Sequence, residues 1–312
     1  MNTIKKLFLL GLLTAAPCVA EVVPDSVPFE LGADRRVYVT CQVGTDARRL
    51  RFLLDTGATD VVLNTASPRT AGLVRFDAQV SNRGANSEER VAATAPEVSL
   101  RLGPLRADSL RVLGIAYPPD AWDGVLGLAF LRRYGLRIDY VRRMLYFYPP
   151  RAAAVPAGSV ALPLEWRLGV PVVRLSLTFC GQPHDVAVEV DTGSDRVLDL
   201  NTPFVNRHGL MGLQRPFAQS VISGTVRTGG VLHNVFFDVL RLGPYALPLI
   251  PGALSQVEQG VQATEAFDGV VGSNLLFRFQ ATYDFAGGSL YLAPNPYLYV
   301  PFYDFLQPAA AR

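Results

Sequence analysis

The chain has 312 residues, of which 49% are apolar, 18% charged and 10% aromatic, and this length suffices for about two domains of ordinary size. The apolar fraction supports a large buried core and excludes a chain that is disordered throughout. Both lysines, Lys5 and Lys6, lie in the first twenty residues, so the rest of the chain carries 27 arginines and 27 acids. A neutral body argues against a nucleic-acid partner and against an anionic membrane surface.

The first twenty residues have the layout of a secretory signal peptide. Lys5 and Lys6 precede the apolar run Leu7–Leu13, and small residues follow up to Ala20, after which we predict cleavage. The alternative is an uncleaved membrane anchor, but the apolar stretch is shorter than the roughly 20 residues that a spanning helix needs. We therefore expect an exported protein, periplasmic or extracellular, without stable membrane association after cleavage.

Short strands are predicted along the rest of the chain, because β-branched and aromatic runs alternate with Gly and Pro. Helical turns are predicted only at Leu128–Tyr134 and Leu275–Phe279. The predicted strands are Val37–Val43, Arg51–Leu54, Val61–Leu63, Val98–Leu102, Leu110–Leu113, Leu145–Tyr148, Val172–Phe179 and Val186–Val190.

An internal repeat divides the chain into two halves. Phe52–Ala58 recurs as Val188–Ser194, at an offset of 136 residues. Further repeated segments are Val27–Glu30 with Leu162–Glu165, Leu100–Pro104 with Leu240–Pro244, and Asp123–Gly127 with Asp268–Gly272. The offsets drift only from 135 to 145, which indicates a duplication with small changes in loop length.

The repeat predicts an all-β fold with two tandem lobes, residues 21–150 and 151–294. The connector Pro149–Ser159 is rich in Ala and Pro. Residues 295–312 form an aromatic C-terminal tail, which we expect to be a final strand or a segment that packs on a lobe.

The repeated Asp-Thr-Gly places one carboxyl per lobe, Asp55 and Asp191, at the end of an apolar strand. Gly57 and Gly193 permit a tight turn in which main-chain N–H groups face the carboxyl. If the lobes pack about a pseudo-two-fold axis, the two carboxyls meet in the cleft and share one proton. Such a pair can activate water to hydrolyse an amide without a metal or a covalent intermediate. The alternative is a strand-end turn in which each aspartate only caps its own loop.

At these residues the chain resembles the aspartic protease superfamily. The first Asp-Thr-Gly-Ala is similar to the retropepsin form of the motif, and the second, Asp-Thr-Gly-Ser, to the form common in pepsins. Val125–Gly127 and Val270–Gly272 match the apolar-apolar-Gly segment that crosses behind the catalytic turn in that superfamily. The resemblance covers the chain from about Val27 to Pro294.

The resemblance implies retropepsin-like β-barrel lobes in a single-chain pseudo-dimer, with Asp55 and Asp191 as the catalytic dyad. It also implies that the hydroxyls of Thr56 and Thr192 brace the two turns across the axis. Ser194 can donate a hydrogen bond to the charged form of Asp191, whereas Ala58 offers Asp55 none. We therefore expect the shared proton to reside mainly on Asp55.

Three other acids lie near these motifs. Asp123 and Asp268 precede the second glycine motif of each half, and we expect them to cap turns or to accept backbone hydrogen bonds. Glu189 lies two residues before Asp191, on the same face of the strand. It is either exposed at the rim or an unusual neighbour of the dyad, and we favour exposure.

An aspartic protease needs hairpin flaps that cover its cleft. The candidates are Ser81–Glu89, with Arg83 and Gly84, and Ser223–Gly230, with Gly229 and Gly230. No tyrosine lies between Asn64 and Leu100, so the flap tyrosine typical of pepsins is missing. This difference favours a retropepsin-like arrangement.

No cofactor or metal is predicted, because no Cys/His cluster has the spacing of a zinc site. Cys41 and Cys180 remain after signal cleavage, and a disulfide or two buried free thiols are both compatible with the sequence.

The sequence therefore predicts an exported aspartic endopeptidase that acts on peptide or protein substrates. It is expected to be a monomer, with pairing of lobes between chains as the alternative assembly. A second alternative is an inactive protein of the same fold that binds peptide or another ligand.

Overall fold

The computed structural model describes residues 23–83, 89–221 and 230–302. The signal segment Met1–Ala20 lies outside these residues, and its assignment stays a prediction. The described part is mostly β, as the sequence predicts.

Within the described residues, the first half of the chain forms eleven strands and one short helix. These are β1 (Asp25–Pro28), β2 (Glu30–Leu31), β3 (Val37–Val43), β4 (Leu50–Leu54), β5 (Val61–Asn64), β6 (Ala78–Arg83), β7 (Glu89–Leu102), β8 (Leu105–Ile115), β9 (Gly124–Leu126), α1 (Leu128–Leu131), β10 (Gly135–Asp139) and β11 (Met144–Tyr148).

The second half repeats this series and adds short helical segments. Its elements are β12 (Val160–Pro163), β13 (Glu165–Arg167), β14 (Val170–Phe179), β15 (Gln182–Asp191), β16 (Leu198–Leu200), α2 (Thr202–Arg207), β17 (Ala218–Val221), β18 (Val231–Leu242), β19 (Tyr245–Ser255), β20 (Gly269–Gly272), α3 (Ser273–Leu276), β21 (Phe279–Asp284) and β22 (Ser289–Pro294), with 3-10 turns at Leu210–Gly212 and Val261–Ala263.

The two halves have the same sheet topology. The strand order is β2-β3-β4-β9-β5-β8-β7-β6 in the first lobe and β13-β14-β15-β20-β16-β19-β18-β17 in the second. A further pairing of β3 with β7, and of β14 with β18, closes six strands of each lobe into a barrel. The predicted all-β, two-lobed fold is therefore confirmed.

A sheet shared by both halves joins the lobes, in the order β1-β11-β10-β21-β22-β12. Its centre is the antiparallel pair β10–β21, where Arg137 lies opposite Thr282. These two positions are equivalent in the repeat, at the offset of 145 residues. A pseudo-two-fold axis therefore passes between β10 and β21 and relates the two lobes.

Alternation along β4 and β15 separates the core from the face that carries the aspartates. Phe52 and Leu54 in β4, and Val188 and Val190 in β15, are fully buried in one apolar core cluster that includes residues of both lobes. Since successive side chains of a strand point to opposite faces, Leu53 and Glu189 lie on the same face as Asp55 and Asp191.

One helix was not predicted from the sequence. The expected helical turns at Leu128–Tyr134 and Leu275–Phe279 are present as the shorter α1 and α3, but α2 (Thr202–Arg207) is an additional helix. It has a proline in its first turn, where a missing N–H costs no helical hydrogen bond. With only six residues, it is too short to show a helical period in the sequence.

The C-terminal tail packs on the body of the protein as far as it is described. Tyr297 stacks on Phe277, with ring centroids 5.2 Å apart, and Phe302 lies against the Arg278 guanidinium. Of the two expected forms, residues 295–302 take the packed segment rather than a strand.

Cys41 and Cys180 are free thiols, so of the two alternatives left by the sequence the disulfide does not form. Cys41 is buried, whereas Cys180 is exposed. In the described part of the chain, no helix has the length and apolar character required to cross a bilayer.

Candidate active site

The two Asp-Thr-Gly turns begin where β4 and β15 end. In the first lobe, Phe52–Leu54 pair in parallel with Gly124–Leu126 of β9, and the amide of Asp55 donates to the Leu126 carbonyl at 3.1 Å. In the second lobe, Asp191 lies in register with Gly272 of β20. The apolar-apolar-Gly segment thus supports each turn from behind.

The turns face each other across the pseudo-two-fold axis. A Cβ atom placed on Gly57 would lie 2.7 Å from Cγ of Asp191, and one on Gly193 would collide with the Asp55 carboxyl. Each glycine thus leaves room for the carboxyl of the opposite lobe. This approach brings Asp55 and Asp191 together.

Thr56 and Thr192 connect the turns through four hydrogen bonds, all within fully buried surroundings. The Thr56 hydroxyl donates to the Val190 carbonyl at 2.6 Å and accepts from the Thr192 amide at 3.0 Å. Reciprocally, the Thr192 hydroxyl donates to the Leu54 carbonyl at 2.9 Å and accepts from the Thr56 amide at 3.0 Å. The relative position of the two carboxyls is therefore fixed by buried, fully satisfied contacts between the lobes.

The hydrogen bonds from main-chain amides differ between the two carboxyls. Oδ1 of Asp55 accepts from the amides of Gly57 at 2.8 Å and Ala58 at 2.9 Å. Oδ1 of Asp191 accepts from Gly193 at 2.7 Å but from Ser194 only at 3.2 Å. A shorter pair of donors stabilises the charged form better, which favours Asp55 as the carboxylate.

Burial raises the pKa of both aspartates, and that of Asp191 rises well above the ordinary value. The negative charge of Asp55 raises the pKa of Asp191 further. For Asp55, hydrogen bonds from the Asp191 side chain and from two amides, and the charge of Arg36, all lower the pKa. These contacts favour Asp191 as the carboxyl that holds the shared proton, whereas the sequence favoured Asp55.

The sequence-based expectation depended on a hydrogen bond from the Ser194 hydroxyl to Asp191. That hydroxyl accepts a hydrogen bond from the Arg196 amide at 3.3 Å, and the described contacts include none from the Ser194 hydroxyl to Asp191. Ser194 supports the turn through its amide and through its carbonyl, which accepts from the Ser273 amide at 2.8 Å.

Removing the positive charge at residue 36 is expected to shift the acid limb of the pH–activity profile to higher pH. Arg36 lowers the pKa of Asp55, so in Arg36→Gln the base ionises only at higher pH. The measurement is kcat/KM for peptide cleavage against pH. Arg106→Gln, which removes an exposed arginine paired with Asp108, is the control. An acid limb that stays in place in Arg36→Gln would contradict this assignment of the base.

Glu189 is buried rather than exposed at the rim, so the preferred expectation for this residue is wrong. Only 4% of the surface of Glu189 is exposed. Burial and the negative charges of Asp191 and Asp55 raise its pKa well above the ordinary value. The sequence pattern gave the correct face of the strand, but not how deeply the cleft encloses it.

Asp123 and Asp268 accept hydrogen bonds from the backbone, as expected. Asp123 Oδ2 accepts from the Arg51 amide at 2.8 Å, and Asp268 Oδ2 accepts from the Ala187 amide at 2.9 Å. Both thereby tie the strand that precedes the dyad turn to the segment before β9 or β20.

Comparisons with known proteins agree with this geometry. A sequence model of the aspartyl protease family matches residues 39–130, within the first lobe. An aspartic proteinase from Irpex lacteus superposes on 88% of this chain and 98% of its own, with a TM-score of 0.55 and 15% identity. The chain has the fold of the aspartic protease superfamily. No curated protein matches the sequence significantly.

The aspartic protease fold places both flap candidates on hairpins, β6–β7 and β17–β18. Arg83 lies opposite Glu89 at the last described pair of the first hairpin, and Gly230 immediately precedes β18. Gly84 and Gly229 lie outside the described residues. The flap role of these four residues stays a prediction.

Three residues near the dyad were not predicted from the sequence. Arg36 donates to the Gly193 carbonyl at 3.4 Å from a loop of the opposite lobe. Tyr117 and Trp122, with ring centroids 5.3 Å apart, pack on the apolar cluster that contains Val62 and Val125. Trp122 immediately precedes the repeated Asp-Gly motif, which is the one sequence signal that could have located it. Among the described residues, no group of three or more His, Cys, Asp or Glu side chains is arranged to hold a metal ion.

Proposed function

We propose that this chain is an aspartic endopeptidase that hydrolyses peptide bonds through water activated by Asp55 and Asp191. One observation carries the proposal: the half-buried carboxyls of Asp55 and Asp191, one from each lobe, face each other across the pseudo-two-fold axis, each packed against the glycine of the opposite turn. An amide-hydrolysing site of this class needs one charged and one protonated carboxyl, and the different donors around Asp55 and Asp191 support that division.

In the proposed mechanism, the Asp55 carboxylate takes a proton from a water that lies between the two carboxyls. The water oxygen attacks the peptide carbonyl carbon, while the Asp191 carboxyl donates its proton to the carbonyl oxygen. The tetrahedral intermediate then collapses, its C–N bond breaks, and the leaving nitrogen is protonated by Asp55. One hydroxyl of the intermediate returns its proton to Asp191, which restores the starting state of the dyad.

We also propose that the protein is exported and acts as a monomer. The sequence of Met1–Ala20 supports export. The four Thr56–Thr192 hydrogen bonds support a monomer, because they join two lobes of one chain and leave no dyad half to be supplied by a second copy. Two readouts test these points: sequencing of the N-terminus of the exported protein, expected to begin at Glu21, and the mass of the purified protein in solution.

The deciding experiment is digestion of an unstructured protein by the purified mature chain, followed by mass spectrometry of the fragments. We expect internal peptide bonds to be cleaved. We also expect a statine-type inhibitor, which has a tetrahedral carbon bearing a hydroxyl in place of the scissile carbonyl, to block cleavage. Binding of peptide without cleavage at any pH between about 2 and 8 would favour the inactive ligand-binding protein instead.

A further inference from the structure

A row of paired residues crosses each lobe on the face that carries the dyad aspartate. Residues that are paired in register on adjacent strands point to the same face of a sheet. In the first lobe the row is Leu53, Val125, Val62 and Leu113. In the second lobe the equivalent row is Glu189, Val270, Asp199 and Ala253. We call these rows the first-lobe wall and the second-lobe wall, and each lies on the face of its lobe that carries the dyad aspartate.

The two walls differ in chemistry. The first-lobe row is entirely apolar, and Tyr117 and Trp122 pack beside it. In the second-lobe row, two of the four positions carry acids, Glu189 and Asp199. The two walls of the duplicated fold are therefore asymmetric: the first is apolar, and the second carries two acids.

Only one of these two acids has a partner. Asp199 forms an ion pair with Arg196 at 3.1 Å, and Arg196 also donates to Asn234 at 3.0 Å. Glu189 has no hydrogen bond or ion pair with any described residue. Its carboxyl oxygens are also not among the fully enclosed polar atoms that lack a partner, so they keep a small exposed area. The charged groups that act on Glu189 are Asp191 and Asp55, both acidic.

We propose that Glu189 is a specificity-determining residue that binds a cationic side chain of the substrate, Lys or Arg, next to the scissile bond on the second-lobe side. The first-lobe wall then takes an apolar side chain. This inference rests on the proposed peptidase function and names the class of peptide that the site accepts.

The preference for a cation follows from the free-energy cost of enclosing a carboxyl that has no hydrogen-bond donors around it. Burying such a group is unfavourable unless it is hydrogen-bonded or paired with an opposite charge. A lysine or arginine side chain supplies both, and charge-assisted hydrogen bonds are the stronger kind. An apolar side chain at the same place would cover Glu189 and leave it unsatisfied, so the second-lobe wall selects against it.

The surroundings of the second-lobe wall fit a cation. Arg196, which pairs with Asp199 of this wall, also lines a cavity of about 270 Å³, whose lining includes Asn234 and two further acids, Asp34 and Asp195. Arg196 is already engaged with Asp199, and Arg36 is engaged with Asp34 at 2.7 Å. Each of these two arginines is thus paired with an acid other than Glu189. Glu189 therefore has no cationic partner among the described residues.

The test compares cleavage of two matched peptide pairs, in which Lys or norleucine flanks the scissile bond on either side. Norleucine has the length of lysine without its charge. In wild type, the peptide that places Lys on the second-lobe side of the scissile bond should have a kcat/KM at least about tenfold higher than its norleucine partner. This is the effect of one hydrogen-bonded charge. This ratio should fall by about tenfold or more in both Glu189→Gln and Glu189→Leu. Gln keeps the shape without the charge, and Leu is the residue at the equivalent position of the first lobe.

Glu265→Gln, which changes an exposed glutamate of the same lobe, should leave the ratio unchanged. Equal cleavage of the Lys and norleucine peptides by wild type would overturn this inference while leaving the peptidase function intact. A Lys preference that persists in Glu189→Gln would also overturn it, because the charge would then not be the cause. Failure of wild type to cleave any of the peptides would instead count against the proposed function.

Discussion

Replacing either Asp55 or Asp191 with Asn is expected to lower kcat/KM for peptide cleavage by at least about 10³-fold. Asn keeps nearly the same shape but has neither a proton to donate as an acid nor a charge to accept one. In Asp55→Asn the attacking water loses its base, and in Asp191→Asn the carbonyl oxygen loses its proton donor. The two residues act on one step, so the double variant should be little slower than either single variant.

The stability of these variants is expected to change in the opposite direction. Burial raises the pKa of both aspartates, so the folded state binds protons more strongly than the unfolded state does. The folded state therefore loses stability as pH rises from the ordinary aspartate pKa through the raised ones. A neutral Asn removes this loss, and thermal unfolding at neutral pH should show variants at least as stable as wild type.

Asp108→Asn is the matched control for both measurements, because Asp108 is an exposed aspartate whose partner is Arg106. It should retain full activity. A dyad variant that is well folded and still cleaves peptides within tenfold of wild type would contradict the assignment of Asp55 and Asp191 as the catalytic pair.

Thr192→Val is expected to give the second large effect, on stability as well as on activity. The substitution removes the Thr192 hydroxyl, which accepts from the Thr56 amide at 3.0 Å and donates to the Leu54 carbonyl at 2.9 Å. Both buried backbone groups lose this partner. An unsatisfied buried group costs about 1–3 kcal/mol, and two are affected here. Because these bonds cross between the lobes, their loss also leaves the distance between the two carboxyls less tightly held. We therefore expect kcat to fall together with the melting temperature.

Thr94→Val provides the comparison within one lobe. The buried Thr94 hydroxyl donates one hydrogen bond, to the Val112 carbonyl at 3.1 Å. We expect about half the loss of stability in this variant, measured by thermal or urea unfolding, with kcat unchanged. If Thr94→Val and Thr192→Val lose the same stability and the same activity, the inter-lobe hydrogen bonds have no special role in positioning the dyad.

Much of the fold followed from the repeat in the sequence. β3 (Val37–Val43) matches its predicted range, and the other predicted strands differ mainly in length. The extension of β7 back to residue 89 could not be predicted, because Pro96 interrupts the run and the pairing with β8 continues across a register shift near Ala95. Helix α2 was missed because six residues show no helical period.

The sequence by itself determined the duplication, the two lobes and the place of each Asp-Thr-Gly at a strand end, because periodicity and local turn chemistry are properties of neighbouring residues. Which hydrogen bonds and charges surround each aspartate, and whether Glu189 is enclosed, was decided only by the tertiary structure. Both depend on groups more than a hundred residues away, such as Arg36 beside Gly193 and Asp55 beside Asp191. Electrostatic effects and burial depend on distance in space, and an offset along the chain does not give that distance.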